Sequence, residues 1–296
     1  MCSTIDPAWL EKQFEVCRGQ LRDVAYRMLG SLSEADDAVQ EAWLRLSRSD
    51  ITSVENIGGW LTTVVAHVSL DALRSRKRRA EEPIDATVLL QRADEHAVDA
   101  ESEMQLADSV GLALLVLLDR LDPVERLAYV LHDMFDLPFD DIGRIVDRTP
   151  TAARKLASRA RQRLHGGAPP TDSNMSRQRE LAEAFLTASR DGDFRRLLEV
   201  LAPNVVLRAD AAAVRGTDAT EIRGATSVAR GALAFSDRVR FAQLVVVNGR
   251  VGVVIAPRGR LFLVLAFTIA HDKIMEIEVI ANALRLDQLE LALLGD

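Results

Sequence analysis

The side chains best suited to chemistry in this chain are arginines and lysines on one predicted helix, which runs from Pro150 to Leu164. Apolar residues recur there at helical spacing and predict one buried stripe. The stripe consists of Ala153, Leu156, Ala157, Ala160 and Leu164. The opposite face is polar and almost purely cationic, with Arg154, Lys155, Ser158, Arg159, Arg161 and Arg163. Arginine can donate two hydrogen bonds to guanine and neighbouring cations can hold phosphates, so this face has the chemistry of a DNA contact.

The elements before this helix favour the same interpretation. A short helix is predicted from Pro138 to Val146, and after a short turn Thr149-Pro150 begins the cationic helix. A helix-turn-helix places its second helix in the major groove of duplex DNA in this way. The alternative is a solvated basic surface helix. Solvated helices usually interleave the two charge signs, and acid is almost absent here, which disfavours that alternative.

A second basic segment lies at the C-terminal end of a helix predicted from Trp60 to about Arg78. The glycine pair Gly58-Gly59 is predicted to interrupt helical structure just before this helix. Its buried stripe is predicted to be Trp60, Leu61, Val64, Val65, Val68 and Ala72. The opposite face carries His67, Asp71, Arg74 and Arg78 and leads into the cluster Arg74, Arg76, Lys77, Arg78 and Arg79. Polar groups beside cations can hold strand backbone and accept an unstacked base. An ordinary surface role fits His67 and Asp71 equally well.

The charge of the chain is acidic in total but uneven along its length. The net charge is −7, yet residues 144–168 carry seven Lys/Arg and one Asp/Glu, whereas residues 81–143 carry three and sixteen. Phosphate binding responds to local charge, so the acidic total does not exclude nucleic acid. The two cysteines, Cys2 and Cys17, lack metal-ligand spacing, which argues against a zinc site or a disulfide framework and fits a reducing compartment. No signal-peptide pattern is present, and the longest apolar runs reach only about half a membrane span.

Local signals predict where several elements begin and turn. Ser33 and Asp36 form a capping-box pattern at the start of a helix, and Asp122 caps another that has Pro123 at its first position. Asn248-Gly249 between two apolar runs predicts a hairpin. The predicted modules are a helical bundle, an acidic linker, the helix-turn-helix domain, a short linker and an α+β domain, at 1–80, 81–108, 109–168, 169–176 and 177–296. The fold class is thus multidomain, with two all-α modules followed by an α+β domain.

Two parts of the chain resemble bacterial sigma-70-type factors. The run SEADDAVQEAWLRL at 33–46 and the run GWLTTVVAH at 59–67, which continues into the basic cluster, resemble region 2. The stretch that starts LDPVER at 121–126 and ends at Arg161 resembles region 4. Regions 1 and 3 have no counterpart. The chain is therefore similar to an extracytoplasmic-function (ECF) sigma factor over about residues 9–165.

This resemblance implies roles for three sets of residues. An acidic face would dock on the β′ clamp helices of core RNA polymerase, with Asp36, Asp37, Gln40 and Glu41, although a solvated capped helix is the alternative. The promoter −10 element would be addressed as it melts by His67, Asp71, Arg74, Arg76, Lys77 and Arg78. The −35 element would be read by Arg154, Lys155, Ser158 and Arg159. The family often has asparagine near the position of His67. The acidic linker would pass along the RNA-exit path of the polymerase.

The last third resembles the SnoaL-like members of the nuclear-transport-factor-2 (NTF2) fold, a cone with an apolar pocket. No convincing catalytic constellation is found. His271-Asp272-Lys273 fits a hairpin turn, and nothing in the sequence orients Asp210 or Arg215 into a pocket. In a subgroup of ECF sigma factors with this extension, the added domain regulates the sigma module of the same chain in cis. That subgroup has a Trp-Leu-Pro-Glu-Pro linker motif and an Asp-Gly-Gly-Gly-basic motif, which here are reduced to Glu82-Pro83 and to DAAAVR at 210–215.

We therefore expect a cytoplasmic transcription initiation factor with no enzymatic activity, cofactor, metal or membrane contact. Its expected partners are core RNA polymerase and promoter DNA, with a small apolar ligand as a further possibility in the C-terminal domain, which would regulate activity in cis. One alternative is an autonomous helix-turn-helix regulator that binds duplex DNA as a dimer, and the region 2 resemblance argues against it. Another is a small NTF2-like enzyme fused to a DNA-binding region.

Overall fold

The computed structural model describes residues 7–49, 54, 56–81, 111–166, 173–214, 218–239 and 241–294. Most of the predicted acidic linker lies outside these residues, as do Glu82-Pro83 and Arg215. The chain forms two compact units, and each is continuous in space but not in sequence. The first contains Met1–Val110 and Leu118–Arg161, and the second contains Gly111–Leu117 and Gln162–Asp296. The module boundaries predicted from the sequence do not coincide with this division. They stay a prediction.

The first unit is helical. Its helices are α1 (Pro7–Leu29), α2 (Leu32–Arg48), α3 (Ile57–Glu81), the end of α4 (Leu112–Asp119), α5 (Pro123–Tyr129), α6 (Phe139–Val146) and most of α7 (Pro150–His165). A short π-helical segment, Val130–Met134, continues α5. Asp122 caps α5 as predicted, because its Oδ1 accepts the Val124 N–H at 3.0 Å and Pro123 follows at the first position.

The start of α2 differs from the prediction. Gly30, at φ 72°, ends α1, and its N–H donates to the Tyr26 carbonyl at 2.8 Å. Ser31 is therefore the first residue free to cap α2, and its hydroxyl accepts the Glu34 N–H at 3.4 Å. The capping pair Ser33 and Asp36 is wrong. Ser31 and Glu34 have the same spacing and stand two residues earlier.

The predicted break at Gly58-Gly59 is also wrong, because both glycines lie in the first turn of α3. The side chain of Asn56 accepts the Gly59 N–H at 2.9 Å, so the signal for the helix start is Asn56. A Cβ on Gly59 would lie 3.0 Å from that side chain, which explains a residue without one. In the predicted stripe Leu61, Val64 and Val65 are buried, whereas Val68 and Ala72 are half-buried; Leu70 and Leu73 are buried instead.

The second unit is an α+β domain, and the predicted fold class is confirmed. Its helices are the start of α4, the end of α7, α8 (Ser173–Asp191), α9 (Phe194–Val200), α10 (Ala211–Val214), α11 (Ala225–Ala234), α12 (Ser236–Val239) and α13 (Ala283–Gln288). Its strands are β1 (Leu201–Ala209), β2 (Thr220–Arg223), β3 (Ala242–Val247), β4 (Arg250–Ile255), β5 (Leu263–Ala270), β6 (Lys273–Ile280) and β7 (Leu291–Leu293). Strands β2 and β7 and the four helices after β1 were not predicted from the sequence.

The seven strands form one sheet in the order β2-β1-β6-β5-β4-β3-β7. Only the β1–β6 pairing in this order is parallel. The predicted hairpin is confirmed, since Asn248 and Gly249 adopt φ of 48° and 78° between β3 and β4. His271 and Asp272, at φ of 52° and 56°, likewise turn the chain between β5 and β6. Apolar side chains of α8, α9 and α11 fill the space against the sheet.

Candidate nucleic-acid interface

The helix-turn-helix consists of α6, a three-residue turn and α7. Asp147 ends α6 in the left-handed conformation, at φ 55°, and the Arg148 N–H returns to the Gly143 carbonyl at 2.8 Å. Thr149 then caps α7, since its hydroxyl accepts the Ala152 N–H at 3.2 Å. The turn passes so close to α6 that a Cβ on Gly143 would lie 2.8 Å from the Arg148 carbonyl oxygen. Gly143 therefore allows the tight approach of the two helices.

The two faces of α7 separate as the sequence predicts. Ala153, Ala157, Ala160 and Leu164 are buried, and Leu156 is half-buried. The residues predicted to read the −35 element all lie on the exposed side: Arg154, Lys155, Ser158 and Arg159. One helix thus presents three cations and a hydroxyl to solvent from a rigid apolar base.

Two contacts fix cations along this helix. The Arg154 guanidinium lies 5.2 Å from the centroid of the Phe139 ring, and that ring stacks on His132 with a centroid distance of 3.8 Å. The stack orients Arg154 in the second turn of α7 by a cation–π contact. Arg161 instead pairs with Asp133, at 2.5 Å. Arg161 therefore ties α7 to the helices beneath it.

The residues predicted for the −10 element divide into two groups on α3. His67, Asp71, Arg74 and Arg78 are exposed on one side. Arg76 turns inward, where it donates to the Leu29 carbonyl at 3.2 Å and pairs with Glu34. Lys77 pairs with Asp122 at 3.3 Å.

The acidic face of α2 also contains paired and unpaired members. Arg22 of α1 holds Asp36 with two hydrogen bonds, at 2.7 and 3.1 Å. Glu41 pairs with Arg45 on the same helix at 2.8 Å. Asp37 and Gln40 are exposed. The face is therefore partly neutralised by cations that a stronger partner would have to displace.

A contact between the region 2 and region 4 helices inside the first unit was not predicted from the sequence. Arg126 of α5 is only 2% exposed, and its Nε donates to the Arg27 carbonyl of α1 at 3.0 Å. Its Nη1 pairs with Asp119, at the end of α4, at 3.1 Å. Burial lowers the pKa of the Arg126 guanidinium, and Asp119 opposes this. The sequence contains no local signal for this contact, because an arginine on a short helix is ordinarily exposed.

A cleft of about 600 Å³ lies between the same two sets of helices. Cys17, Leu21 and Trp60 line it from α1 and α3, and Leu137 and Ile145 line it from the region 4 side. The contact between the two regions is thus incomplete, and this part of it is open to solvent.

Asp210, which the sequence offered as a pocket residue, has a structural role. Asp210 accepts the N–H groups of Ala213, Ala281 and Asn282 at 3.0, 3.0 and 2.9 Å, which holds the end of β1 to the end of β6. Within the described part of the chain, no three His, Cys, Asp or Glu residues are grouped to hold a metal ion. No helix among those residues has the length and hydropathy of a membrane span.

Comparison with known proteins identifies the class and then the family. Residues 14–79 match the Sigma-70 region 2 model, and residues 111–164 match the Sigma-70, region 4 model. These two matches define the class of the protein as a sigma-70-type transcription initiation factor. The probable ECF RNA polymerase sigma factor SigI of Mycobacterium tuberculosis is 36% identical over 195 residues, which cover 66% of this chain and 67% of SigI. The ECF RNA polymerase sigma factor SigJ of the same species is 34% identical over 259 residues, 81% of this chain and 79% of SigJ.

The chain belongs to the ECF RNA polymerase sigma factor family. The crystal structure of SigJ aligns with 93% of this chain and 97% of its own, at 27% identity and a TM-score of 0.44. The protein is thus a transcription initiation factor that binds core RNA polymerase and directs it to −10 and −35 promoter DNA. Sigma factors are not enzymes.

Proposed function

We propose that α7 reads the −35 element through Arg154, Lys155, Ser158 and Arg159. The exposed cationic face on a buried apolar stripe is the observation that carries this assignment. Ser158 and Arg159 lie in the third turn of α7, which is the helix that a helix-turn-helix places in the major groove. Arg154, held by the Phe139 ring, is placed for a phosphate or a base edge near the start of the helix.

We further propose that α3 handles the melting −10 strand. His67, Asp71, Arg74 and Arg78 form its exposed face, so a base and its backbone can approach them together. Arg76 and Lys77 belong to the same predicted set, but in this arrangement they pair with Glu34 and Asp122. Their part in DNA binding therefore requires that these ion pairs break.

The face of α2 with Asp36, Asp37, Gln40 and Glu41 is proposed to dock on the β′ clamp helices. Asp37 and Gln40 are exposed, and Asp36 and Glu41 are held by arginines of this chain, so polymerase cations can replace these partners. Since sigma factors act on RNA polymerase in the cytoplasm, we propose the same location for this protein. Exchange of exposed ion pairs costs little, because each contributes at most about 1 kcal/mol.

The contact through Arg126 must open for promoter recognition. The −10 and −35 promoter elements are centred about 10 and 35 base pairs upstream of the transcription start site; they lie about 25 base pairs apart, which is roughly 85 Å of B-DNA. Arg126 and the Arg27 carbonyl are 3.0 Å apart, so the region 2 and region 4 helices cannot occupy both elements while they touch here. We propose that this closed first unit is the resting state and that core polymerase and promoter shift the population to an open state.

The α+β module, predicted at 177–296, is proposed to regulate activity in cis and to have no enzymatic activity of its own. In its described residues, Asp210 is engaged in backbone hydrogen bonds, and Phe185 and Phe267 fill the core with a ring contact at 5.5 Å. The small apolar ligand suggested by the NTF2 resemblance gains no support from these contacts.

The test of the proposed function is run-off transcription with purified core polymerase and a promoter mapped from transcript start sites after overexpression. We expect the protein to co-purify with core and to start transcription at that promoter. An autonomous helix-turn-helix regulator would bind promoter duplex without core, so duplex binding combined with no core binding would replace the sigma assignment by that alternative.

A further inference from the structure

The N-terminal part of α4, the first helix of region 4, clusters with the C-terminal module. Residues Gly111–Leu117, nearly all of α4, cluster with the second unit, although the region 4 match covers residues 111–164. Six of the eight residues in α4 are buried: Leu112, Ala113, Leu115, Val116, Leu117 and Leu118. A helix that is apolar on nearly all sides needs cover from more than one direction.

The residue in the N-cap position of α4 cannot supply a capping side chain. A helix leaves its first N–H groups without partners, and Ser, Thr, Asp or Asn usually accepts one of them. The residue before α4 is Gly111, at φ 80°, which has no side chain to offer. The Ala113 N–H instead donates to Oε1 of Gln243, on β3, at 2.8 Å. A residue 130 positions away thus performs the capping role.

The end of region 4 reaches the same edge of the sheet. Leu164, on the last turn of α7, is 1% exposed, and Gly166 follows at φ 70°. A Cβ on Gly166 would lie 3.4 Å from the Cβ of Ala292 on β7. β7 is the edge strand and pairs with β3, where Gln243 lies. Ala113 in the first helix of region 4, and Gly166 directly after its last helix, therefore both lie against the β3–β7 edge.

We propose that Gln243 is a positioning residue through which the C-terminal module controls region 4: its side chain caps α4 from a distant part of the same chain and so keeps the sigma module closed. This rests on the proposed closed resting state. The link runs along α4 itself, because its N-terminus receives the Gln243 cap and its last residue, Asp119, holds the buried Arg126. Loss of the cap frays α4 from Ala113 and weakens the hold of Asp119 on Arg126.

The experiment compares three variants of the full chain. Gln243→Met keeps the length and volume of the side chain but removes the acceptor, whereas Gln243→Glu keeps an acceptor that a helix N-terminus favours. Gln288→Met, on exposed α13, is the matched control. Far-UV circular dichroism and thermal melting establish that all three fold.

Two measurements follow on each variant. Amide hydrogen exchange at Ala113 should be about fivefold faster in Gln243→Met than in wild type, Gln243→Glu or Gln288→Met, since a lost cap changes local stability by that order. Run-off transcription at limiting core polymerase should rise severalfold in Gln243→Met alone. Unchanged exchange at Ala113 overturns the Gln243 cap, and faster exchange with wild-type transcription overturns its control of the sigma module. Absence of transcription from every variant, wild type included, would instead count against the proposed sigma function.

Discussion

Arg126 shows how one side chain can join two helical modules. Its guanidinium is buried, yet it finds a carbonyl of α1 and a carboxylate of α4. A buried charge with satisfied hydrogen bonds is costly to break from one side, because the remaining polar partner is left without its donor. In the proposed open state both sides of the contact return to water together, so neither partner is left buried without the other.

Replacing Arg126 with Met tests whether this side chain holds the two helical modules together. The variant leaves the Arg27 carbonyl without its donor, so we expect the free energy of unfolding of the first unit to fall by about 1.5–3 kcal/mol. Denaturant unfolding followed by circular dichroism measures it. Arg144→Met, whose side chain is 79% exposed, is the control and should be near neutral. Equal effects of the two variants would contradict the role of Arg126.

Arg159 belongs to the same scale. Removing its guanidinium with Arg159→Ala should weaken binding of the −35 duplex by about 1–3 kcal/mol and relax the preference at one base position. Competition binding with single-base variants of the duplex measures both effects. Arg195→Ala, with a side chain 93% exposed on α9, should change neither. A uniform loss across all duplex variants would mark Arg159 as a phosphate contact instead.

At the scale of elements, the helix-turn-helix is defined by how closely its turn passes α6. The left-handed Asp147 and the Thr149 cap set the angle of α7, and Gly143 leaves room for the Arg148 carbonyl. The exposed cations of α7 are therefore held by a backbone that tolerates little change. For DNA binding by α7, we therefore expect the position of these cations to matter more than their charge alone.

Gly143→Ala tests this geometry. The new Cβ would meet the Arg148 carbonyl oxygen at 2.8 Å, so the turn must move. We expect a loss of about 1–3 kcal/mol in stability, as for an overpacked core, together with weaker −35 binding. Gly231→Ala, inside α11 with nothing within 4 Å of the new Cβ, should be neutral or stabilising. Thermal melting and duplex binding of both proteins decide the matter, and an undisturbed Gly143→Ala would show that the turn is free to relax.

The predictions at this scale succeeded where the signal was local. The helix-turn-helix, the Asp122 cap, the Asn248-Gly249 hairpin and the α+β class followed from periodicity and turn residues. The starts of α2 and α3 were wrong by a few residues, because Ser33 and the glycine pair carried signals that Ser31 and Asn56 also carried. Only the end of α1 at Gly30 decides which serine caps α2.

At the scale of the whole molecule, the two compact units cut across the sequence modules. Residues 111–117 and 162–165, from the first and last helices of region 4, cluster with the C-terminal module. Removal of that module therefore takes away the partners of these segments as well as a separate domain. This gives regulation in cis a physical route through α4.

Truncation after Pro170 is the corresponding prediction. We expect run-off transcription per mole of protein to rise, because the Gln243 acceptor and the β3–β7 edge are lost together, while circular dichroism still reports helical folding. The full-length chain with Gln288→Met is the control for surface change. Identical transcription by truncated and full-length protein, with equal core binding, would refute control in cis.

The sequence by itself determined the element types, the cationic face of α7, the exposed residues of α3 and the family, because helical periodicity and turn chemistry are read over a few neighbouring positions. The tertiary structure alone decided that Arg126 is buried against a carbonyl 99 residues away and that Gln243 caps a helix 130 residues before it. A hydrogen bond between such distant residues depends on how the helices and sheet pack, and no local pattern encodes that packing.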